Sequence, residues 1–231
     1  MQIFIGTSGW RYSWNLGNSL DWYINNSNLN AVELNASFYR FPFPSQVKGW
    51  SKTCSQLRRA VKVTRRITHV HKFNDESLDI WEDFKKLFEP LDLCVDFYLF
   101  QLPPSLKIDS IDKIQKFATF ANLGQRFALE PRNLTWFSDE TISWAKSLGI
   151  TLVSVDAPNL PRTIFNVNGI VYLRMHGRDK WYSYEYSERE LKEVATKILE
   201  TNPERVYVFF NNDYAMLKNA QELAKILTTL L

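Results

Sequence analysis

The segment 171–178, which reads VYLRMHGR, combines an apolar run with a permanent cation and a titratable imidazole. The Val-Tyr-Leu run has strand character, and on a strand Arg174 and His176, which are one residue apart, point to the same face. Gly177 then lets the backbone turn, because it has no side chain to hinder it. Arg binds anions through its planar fork, and His carries protons near neutral pH. This strand end therefore predicts anion binding or acid–base chemistry, with a solvated edge strand as the alternative.

The same design, an apolar strand body followed by polar side chains, recurs along the chain. Three acids and three bases end such runs: Glu33, Glu130, Asp156, Lys62, Arg132 and Arg174. They predict either a salt-bridge network that closes one end of a barrel or a polar pocket for a ligand. We assign catalytic roles to Glu33, Lys62, Glu130 and His176. The ligand-binding candidates are Thr7, Ser8, Trp10, Asn35, Tyr39, Gln101, Arg132, Asp156, Arg174, Asn211 and Asn212.

A phosphate-bearing ligand would use the basic residues of this set directly. Arg174 would clamp the anion through its guanidinium, and Lys62, which lies between two valines, would add a charge that water screens poorly. Glu33 and Glu130 would orient these cations, or one of them would activate water, while His176 would carry the proton. The sequence thus favours a pocket for a nucleotide or a nucleic-acid end, with phosphoester hydrolysis as the candidate reaction.

Three alternatives stay open. In a glycosidase-type site, Glu33 and Glu130 would flank the scissile bond, and Trp10, Trp136 and Tyr39 would stack on sugars, although neighbouring bases would depress the pKa values of both acids. A divalent metal would find ligands among the acids and His176, but the bases compete for them and no HxH or HExxH spacing occurs, so we predict no cofactor and no metal. In a binding module, the same pocket would hold an anionic metabolite without turnover. His69 is a second candidate proton carrier, although a structural role is favoured for it.

Eight strand-like runs alternate with helical segments. The predicted strands are 2–5, 31–35, 59–63, 93–99, 126–130, 151–155, 169–175 and 206–210. Alternating β and α units favour a parallel sheet, and eight of them in one domain favour a closed barrel, whose chemistry lies at the carboxyl ends of the strands. We therefore predict an α/β fold, a single TIM-type (β/α)8 barrel over 1–231. Its sixth helix is degraded to a loop, because 158–168 lacks a good helical pattern.

Composition limits the class of protein. The 231 residues are 45% hydrophobic and 23% charged, which is ordinary globular composition. The net charge of +3 permits an anionic ligand, but nucleic-acid binding is typical of proteins with a stronger basic stripe. We expect no signal peptide at the start MQIFIGTSGW, because it lacks a basic start and a long apolar core, and no membrane span, because the longest apolar run is too short to cross a bilayer. Cys54 and Cys94 lack CxxC spacing, so we predict reduced thiols in a cytoplasmic protein with no membrane partner. The oligomeric state stays open.

Seven motifs carry a resemblance that covers essentially the whole chain. They are GTSGWRYSW, AVELNASFYRFP, RITHVHKF, QLPPS, LEPRNLTWF, VYLRMHGR and VFFNND, in this order. In this respect the sequence resembles the family called domain of unknown function 72, the YecE-like proteins. The resemblance implies a TIM-type barrel, in agreement with the strand count, and it implies no established reaction.

Overall fold

Eight parallel strands close into a barrel in the order β1 to β8 in the computed structural model, which describes residues 1–230. The strands are β1 (Gln2–Ser8), β2 (Ala31–Leu34), β3 (Arg58–Lys62), β4 (Val95–Gln101), β5 (Phe127–Glu130), β6 (Thr151–Asp156), β7 (Ile170–Met175) and β8 (Arg205–Phe210). The predicted TIM-type α/β barrel is confirmed.

The helices alternate with these strands. They are α1 (Leu20–Asn26), α2 (Ala36–Tyr39), α3 (Pro44–Ser51), α4 (Glu76–Phe88), α5 (Ile111–Ala121), α6 (Asp139–Leu148), α7 (Glu188–Glu200) and α8 (Met216–Leu230). Within the described chain no helix separates β6 from β7, which confirms the predicted loss of the sixth one. A π-helix, Arg66–Val70, follows β3, and such π-helical turns are frequent at functional sites.

Two compact units make up the chain, and each is described by itself. The first unit comprises Met1–Glu33 and Val153–Leu231, and the second comprises Leu34–Leu152. The expectation of a single domain over 1–231 therefore stays a prediction.

In the first unit, β7 is buried at every position, as in parallel strands covered on both faces. Gly6 lets β1 approach β2 closely, because a Cβ at that position would lie 2.1 Å from the carbonyl oxygen of Ala31. This approach aligns Ser8 with Glu33 in the strand register. The absence of a side chain at position 6 thus helps to bring two candidate site residues together.

In the second unit, aromatic side chains from α4, α5, β4 and β5 form the core. Trp81 and Phe84 are fully buried on α4, where a spacing of three residues puts both side chains on one face of the helix. The Trp81 ring meets Tyr98 and Phe117 edge-on at 5.2 and 6.4 Å. Aromatic rings bury large areas and add edge-to-face attraction. This cluster therefore fixes α4 on β4 and β5, which end at Gln101 and Glu130.

The cysteine prediction is wrong. Cys54, in the turn after α3, forms a disulfide with Cys94, and their Cα atoms are 5.2 Å apart. The two residues are 40 positions apart in the sequence and have no CxxC spacing. Only the packing of α3 against the 3-10 segment Glu89–Cys94 brings them together, so the pairing leaves no local mark in the sequence.

Candidate functional site

The predicted charged residues stand at the ends of their strands. Lys62 and Glu130 are the last residues of β3 and β5, and Glu33 and Arg174 are the second-last residues of β2 and β7. These positions follow from the sequence pattern, in which an apolar run ends in a charged residue. The partners of each side chain are visible only in the structure.

In the first unit, the buried carboxylate of Glu33 accepts four hydrogen bonds. Its Oε1 accepts from Ser8 Oγ at 2.7 Å and from Arg174 Nη2 at 2.5 Å. Its Oε2 accepts from the Tyr172 hydroxyl at 2.7 Å and from Arg174 Nε at 3.0 Å. We call these four residues the Glu33 group.

The Glu33 group is a closed arrangement of charges. Four hydrogen bonds occupy the lone-pair directions of the Glu33 carboxylate, and the side chains of Glu33 and Arg174 are both 0% exposed. The guanidinium fork that the sequence offers to a ligand anion is directed at this carboxylate instead. The geometry gives Glu33 a role in positioning Arg174. Tyr172 was missed by sequence reasoning, although it lies two residues before Arg174 and therefore shares its face.

His176 is buried beside the first residues of the loop that follows β7. Its ring lies 5.4 Å from Trp181 and 5.5 Å from Tyr182 between centroids, and its Nδ1 is 3.3 Å from Asn211 Nδ2. The backbone N–H of Tyr182 donates to the carbonyl of His176 at 2.8 Å. The loop therefore fixes the orientation of the imidazole. Neither loop aromatic residue was a sequence candidate.

Asp156 belongs to a different set of contacts in the first unit. Its Oδ2 is 3.3 Å from Arg178 Nε, its Oδ1 accepts from the Tyr186 hydroxyl at 3.1 Å, and Arg162 Nε lies 4.0 Å away. Burial raises the pKa of Asp156 above its ordinary value, against the opposing effect of Arg178. The contacts described for Asp156 do not include Glu33 or any other member of the Glu33 group.

In the second unit, three of the predicted charges lie near one another at strand ends. Arg132 donates to Glu130 Oε1 from Nε at 2.5 Å, and Glu130 is fully buried. Lys62 is 8% exposed, and its Nζ lies 4.0 Å from the centroid of the Phe38 ring, in a cation–π contact. The Phe38 ring in turn meets the ring of His69 edge-on at 5.1 Å.

The electrostatics at His69 show which charges surround it. The pKa of His69 is lowered to about 4, chiefly by burial and then by the positive charges of Lys62, Arg65 and Arg132, while Glu130 opposes them. We call these five residues, His69 with Lys62, Arg65, Glu130 and Arg132, the cationic group. It holds three permanent cations and one carboxylate around an imidazole that is neutral at pH 7.

The remaining candidates are spread over both units. Thr7 Oγ1 donates to the carbonyl of Gly9 at 2.7 Å, and Asn212 Nδ2 donates to the carbonyl of Tyr184 at 2.8 Å. Trp10 is buried, Gln101 and Asn35 are half-buried, and Tyr39 is exposed. Trp136, which the glycosidase alternative used as a sugar platform, is fully buried, and its Nε1 donates to Leu106.

Among residues 1–230, no group of three or more His, Cys, Asp or Glu side chains could hold a metal ion. No helix in the same range has the length and apolar character needed to cross a membrane.

Eight parallel strands closed into a barrel, with polar residues at the strand ends, define the TIM-barrel class of α/β proteins. The chain belongs to the family described as protein of unknown function DUF72, whose model matches residues 4–231. The resemblance noted in the sequence is thereby confirmed.

Solved structures of the same family are similar to the chain over nearly its whole length. A DUF72 family protein from Thermotoga maritima MSB8 is 28% identical with a TM-score of 0.84, over 99% of this chain and 100% of that one. A DUF72 family protein from Enterococcus faecalis V583 is 21% identical with a TM-score of 0.84, over 98% and 96%. A D-tagatose 3-epimerase-like protein, 14% identical with a TM-score of 0.57 over 100% and 98%, shares the fold alone. The curated proteins include no match.

Proposed function

We propose that the cationic group binds an anionic, phosphate-bearing ligand, such as a nucleotide or a nucleic-acid end, and that the bound phosphoester is hydrolysed. The observation that carries the proposal is the set of charges that act on His69. They are the cations of Lys62, Arg65 and Arg132 and the carboxylate of Glu130. Three cations close to one imidazole would attract an anion.

Burial strengthens the attraction that two of these cations, Lys62 and Arg132, exert on a bound anion. Lys62 and Arg132 are 8% and 9% exposed, so water screens them less than it screens surface lysines. Arg132 already donates to Glu130 at 2.5 Å, which fixes the direction of its guanidinium before a ligand arrives. A preorganised cation loses less entropy on binding than a mobile one.

His69 would act on the proton in the reaction. Its Nδ1 lies 2.8 Å from the Thr68 hydroxyl, and the neutral ring keeps one nitrogen able to accept a proton. A bound phosphate would raise the pKa of His69 towards neutrality, where an imidazole is most effective as a general base. His69 would then take a proton from the attacking water as the new phosphorus–oxygen bond forms. The ester phosphorus–oxygen bond would break, and the leaving oxygen would take up a proton from the imidazolium or from solvent. The Glu33 group supplies no comparable base, because its carboxylate is fully hydrogen-bonded.

The experiment is calorimetric titration with inorganic phosphate, a mononucleotide, a dinucleotide and a short oligonucleotide, each at two salt concentrations. Binding should weaken at the higher salt, as it does for charge-driven association. The substitution Lys62→Met keeps an apolar stem against Phe38 and removes the charge, so it should weaken every anion. Lys48→Met, on the exposed face of α3, is the matched control and should change nothing.

Hydrolysis is tested on the same samples by release of phosphate from a phosphoester, with His69→Gln as the variant that should retain binding and lose turnover. Binding without turnover in the wild type would leave a binding module. If no anion binds and a panel of neutral sugars does, the proposal fails, and the glycosidase alternative replaces it.

A further inference from the structure

Arg59, the second residue of β3, is a buried cation without an ion-pair partner in the described part of the chain. The residue is 1% exposed. Its Nη1 donates to the carbonyl of Leu57 at 2.7 Å and to Cys94 Sγ at 3.2 Å. Its Nη2 donates to the carbonyl of Trp50 at 3.3 Å and to Thr53 Oγ1 at 2.5 Å, and its Nε–H has no acceptor among residues 1–230.

Neutral acceptors alone compensate a buried charge poorly. Burial, together with the neighbouring charge of Arg58, lowers the pKa of Arg59 to about 10, so the guanidinium is still protonated at pH 7. The nearby carboxylate of Asp96 is engaged by Arg58, whose Nε donates to its Oδ2 at 2.8 Å. A buried cation of this kind is costly unless an anion faces it.

The disulfide places one of its sulfur atoms at this cation. Cys94 is 1% exposed, and its Sγ is the atom that accepts from Arg59. As a disulfide sulfur, that atom carries no charge. As a thiolate, it would be the anion that Arg59 lacks, because a neighbouring cation lowers the pKa of a thiol and stabilises its ionised form.

We propose that Cys54–Cys94 is a reversible thiol–disulfide exchange site, in which reduction releases Cys94 as a thiolate paired with Arg59. The partner is a dithiol reductant, identified here by its chemistry alone. This site is independent of the phosphate-binding proposal, since it lies at the opening residues of β3 and β4 and shares no residue with the cationic group.

Attack on the Cys54 sulfur is the favoured first step. Cys54 is the more exposed of the two cysteines, and Cys94 is the better leaving group, because a thiol of lower pKa leaves faster. The reductant's thiolate bonds to Cys54 Sγ, the disulfide breaks, and its electron pair goes to Cys94 Sγ. The second thiol of the reductant, after losing its proton to water, attacks the reductant's own sulfur in the mixed disulfide, that disulfide breaks, and Cys54 leaves as a thiolate that takes up a proton. The products are an oxidised reductant, a Cys54 thiol that carries one of the two protons, a Cys94 thiolate, and one proton in solvent.

The first test isolates the Cys94 thiol in the full chain. In Cys54→Ser, thiolate absorbance at 240 nm is followed against pH, with the Cys54→Ser/Cys94→Ser protein as the blank. We expect one thiolate to form at least about one pH unit below the ordinary cysteine value of about 8.5. Formation at or above that ordinary value overturns the proposal, whatever the other variants do.

The second test asks whether Arg59 is the cause. The wild type, Arg59→Lys, Arg59→Gln and the surface control Lys48→Gln, at an exposed position of α3, are equilibrated with glutathione buffers, and the fraction of disulfide is measured by alkylation under denaturing conditions. Removing the charge in Arg59→Gln should favour the disulfide by about tenfold or more. Arg59→Lys and Lys48→Gln should stay near the wild type. Equal disulfide fractions in Arg59→Gln and the wild type would contradict the proposed role of the charge.

Discussion

Replacement of Glu33 by Gln tests the arrangement of the Glu33 group most severely. Each carboxylate oxygen of Glu33 accepts one bond from Arg174 and one from a hydroxyl, either Ser8 or Tyr172. In either orientation the amide NH2 of a Gln side chain would face an Arg174 N–H, which cannot accept a hydrogen bond. The substitution therefore leaves a fully buried guanidinium without its counter-charge.

The expected loss is about 3–5 kcal/mol of unfolding free energy, as for the removal of one partner from a buried ion pair. Urea unfolding at pH 7, followed by both tryptophan fluorescence and far-UV circular dichroism, measures it. The control is Glu188→Gln, which breaks the solvent-exposed pair with Lys192 and should leave stability unchanged. The double variant Glu33→Gln/Arg174→Met should recover part of the loss, because it removes the stranded cation. A Glu33→Gln protein as stable as the control would refute the buried-pair interpretation.

Three further predictions use other parts of the chain. Phe84→Ala should lower the unfolding free energy by about 3–5 kcal/mol, whereas Phe43→Ala, at an exposed position, should change it by no more than about 0.5 kcal/mol; denaturation midpoints compare the two. Gly177 has φ +110°, and a Cβ there would lie 2.5 Å from a backbone oxygen, so Gly177→Ala should lower the unfolding free energy by about 1–3 kcal/mol. The control Gly49→Ala, in an open helical position, should stabilise α3 by about 0.5–1 kcal/mol. Equal thermal midpoints for the two variants would contradict this prediction. His69 has a folded-state pKa of about 4, below the unfolded value of about 6.5, so the folded protein should lose stability as the pH falls through that window, and His69→Gln should lose less.

Much of the barrel is predictable from local sequence patterns. Apolar runs that alternate with amphipathic segments mark every strand, and the Ser187–Glu190 capping box marks the start of α7. Predicted and observed strand ends differ by at most a few residues, as at β1, which extends from the predicted 2–5 to Ser8. Extension there has a non-local cause, since Gly6, Thr7 and Ser8 are held in register by β2.

The candidate site is less predictable, because the sequence gives positions and the fold gives partners. The spacing of Arg174 and His176 predicts a shared face, but it does not reveal that Glu33, 141 positions away, occupies two nitrogens of that guanidinium. A polar strand end likewise predicts Asp156, but it does not show that Arg178 and Tyr186 are its partners. The disulfide and the burial of the Arg59 charge among neutral acceptors cannot be predicted from the sequence for the same reason, because non-local packing creates both.

The proposed anion site is tested most directly by the pH titration of His69 with and without phosphate. The chain has three histidines, so the ring resonance of His69 is assigned in proton NMR spectra by comparison with His69→Gln. Without phosphate, the ring should titrate at about pH 4. Saturating phosphate should raise that pKa, because a nearby anion favours the imidazolium form, and Lys62→Met should abolish the increase. A His69 pKa that is the same with and without phosphate would contradict the proposed function.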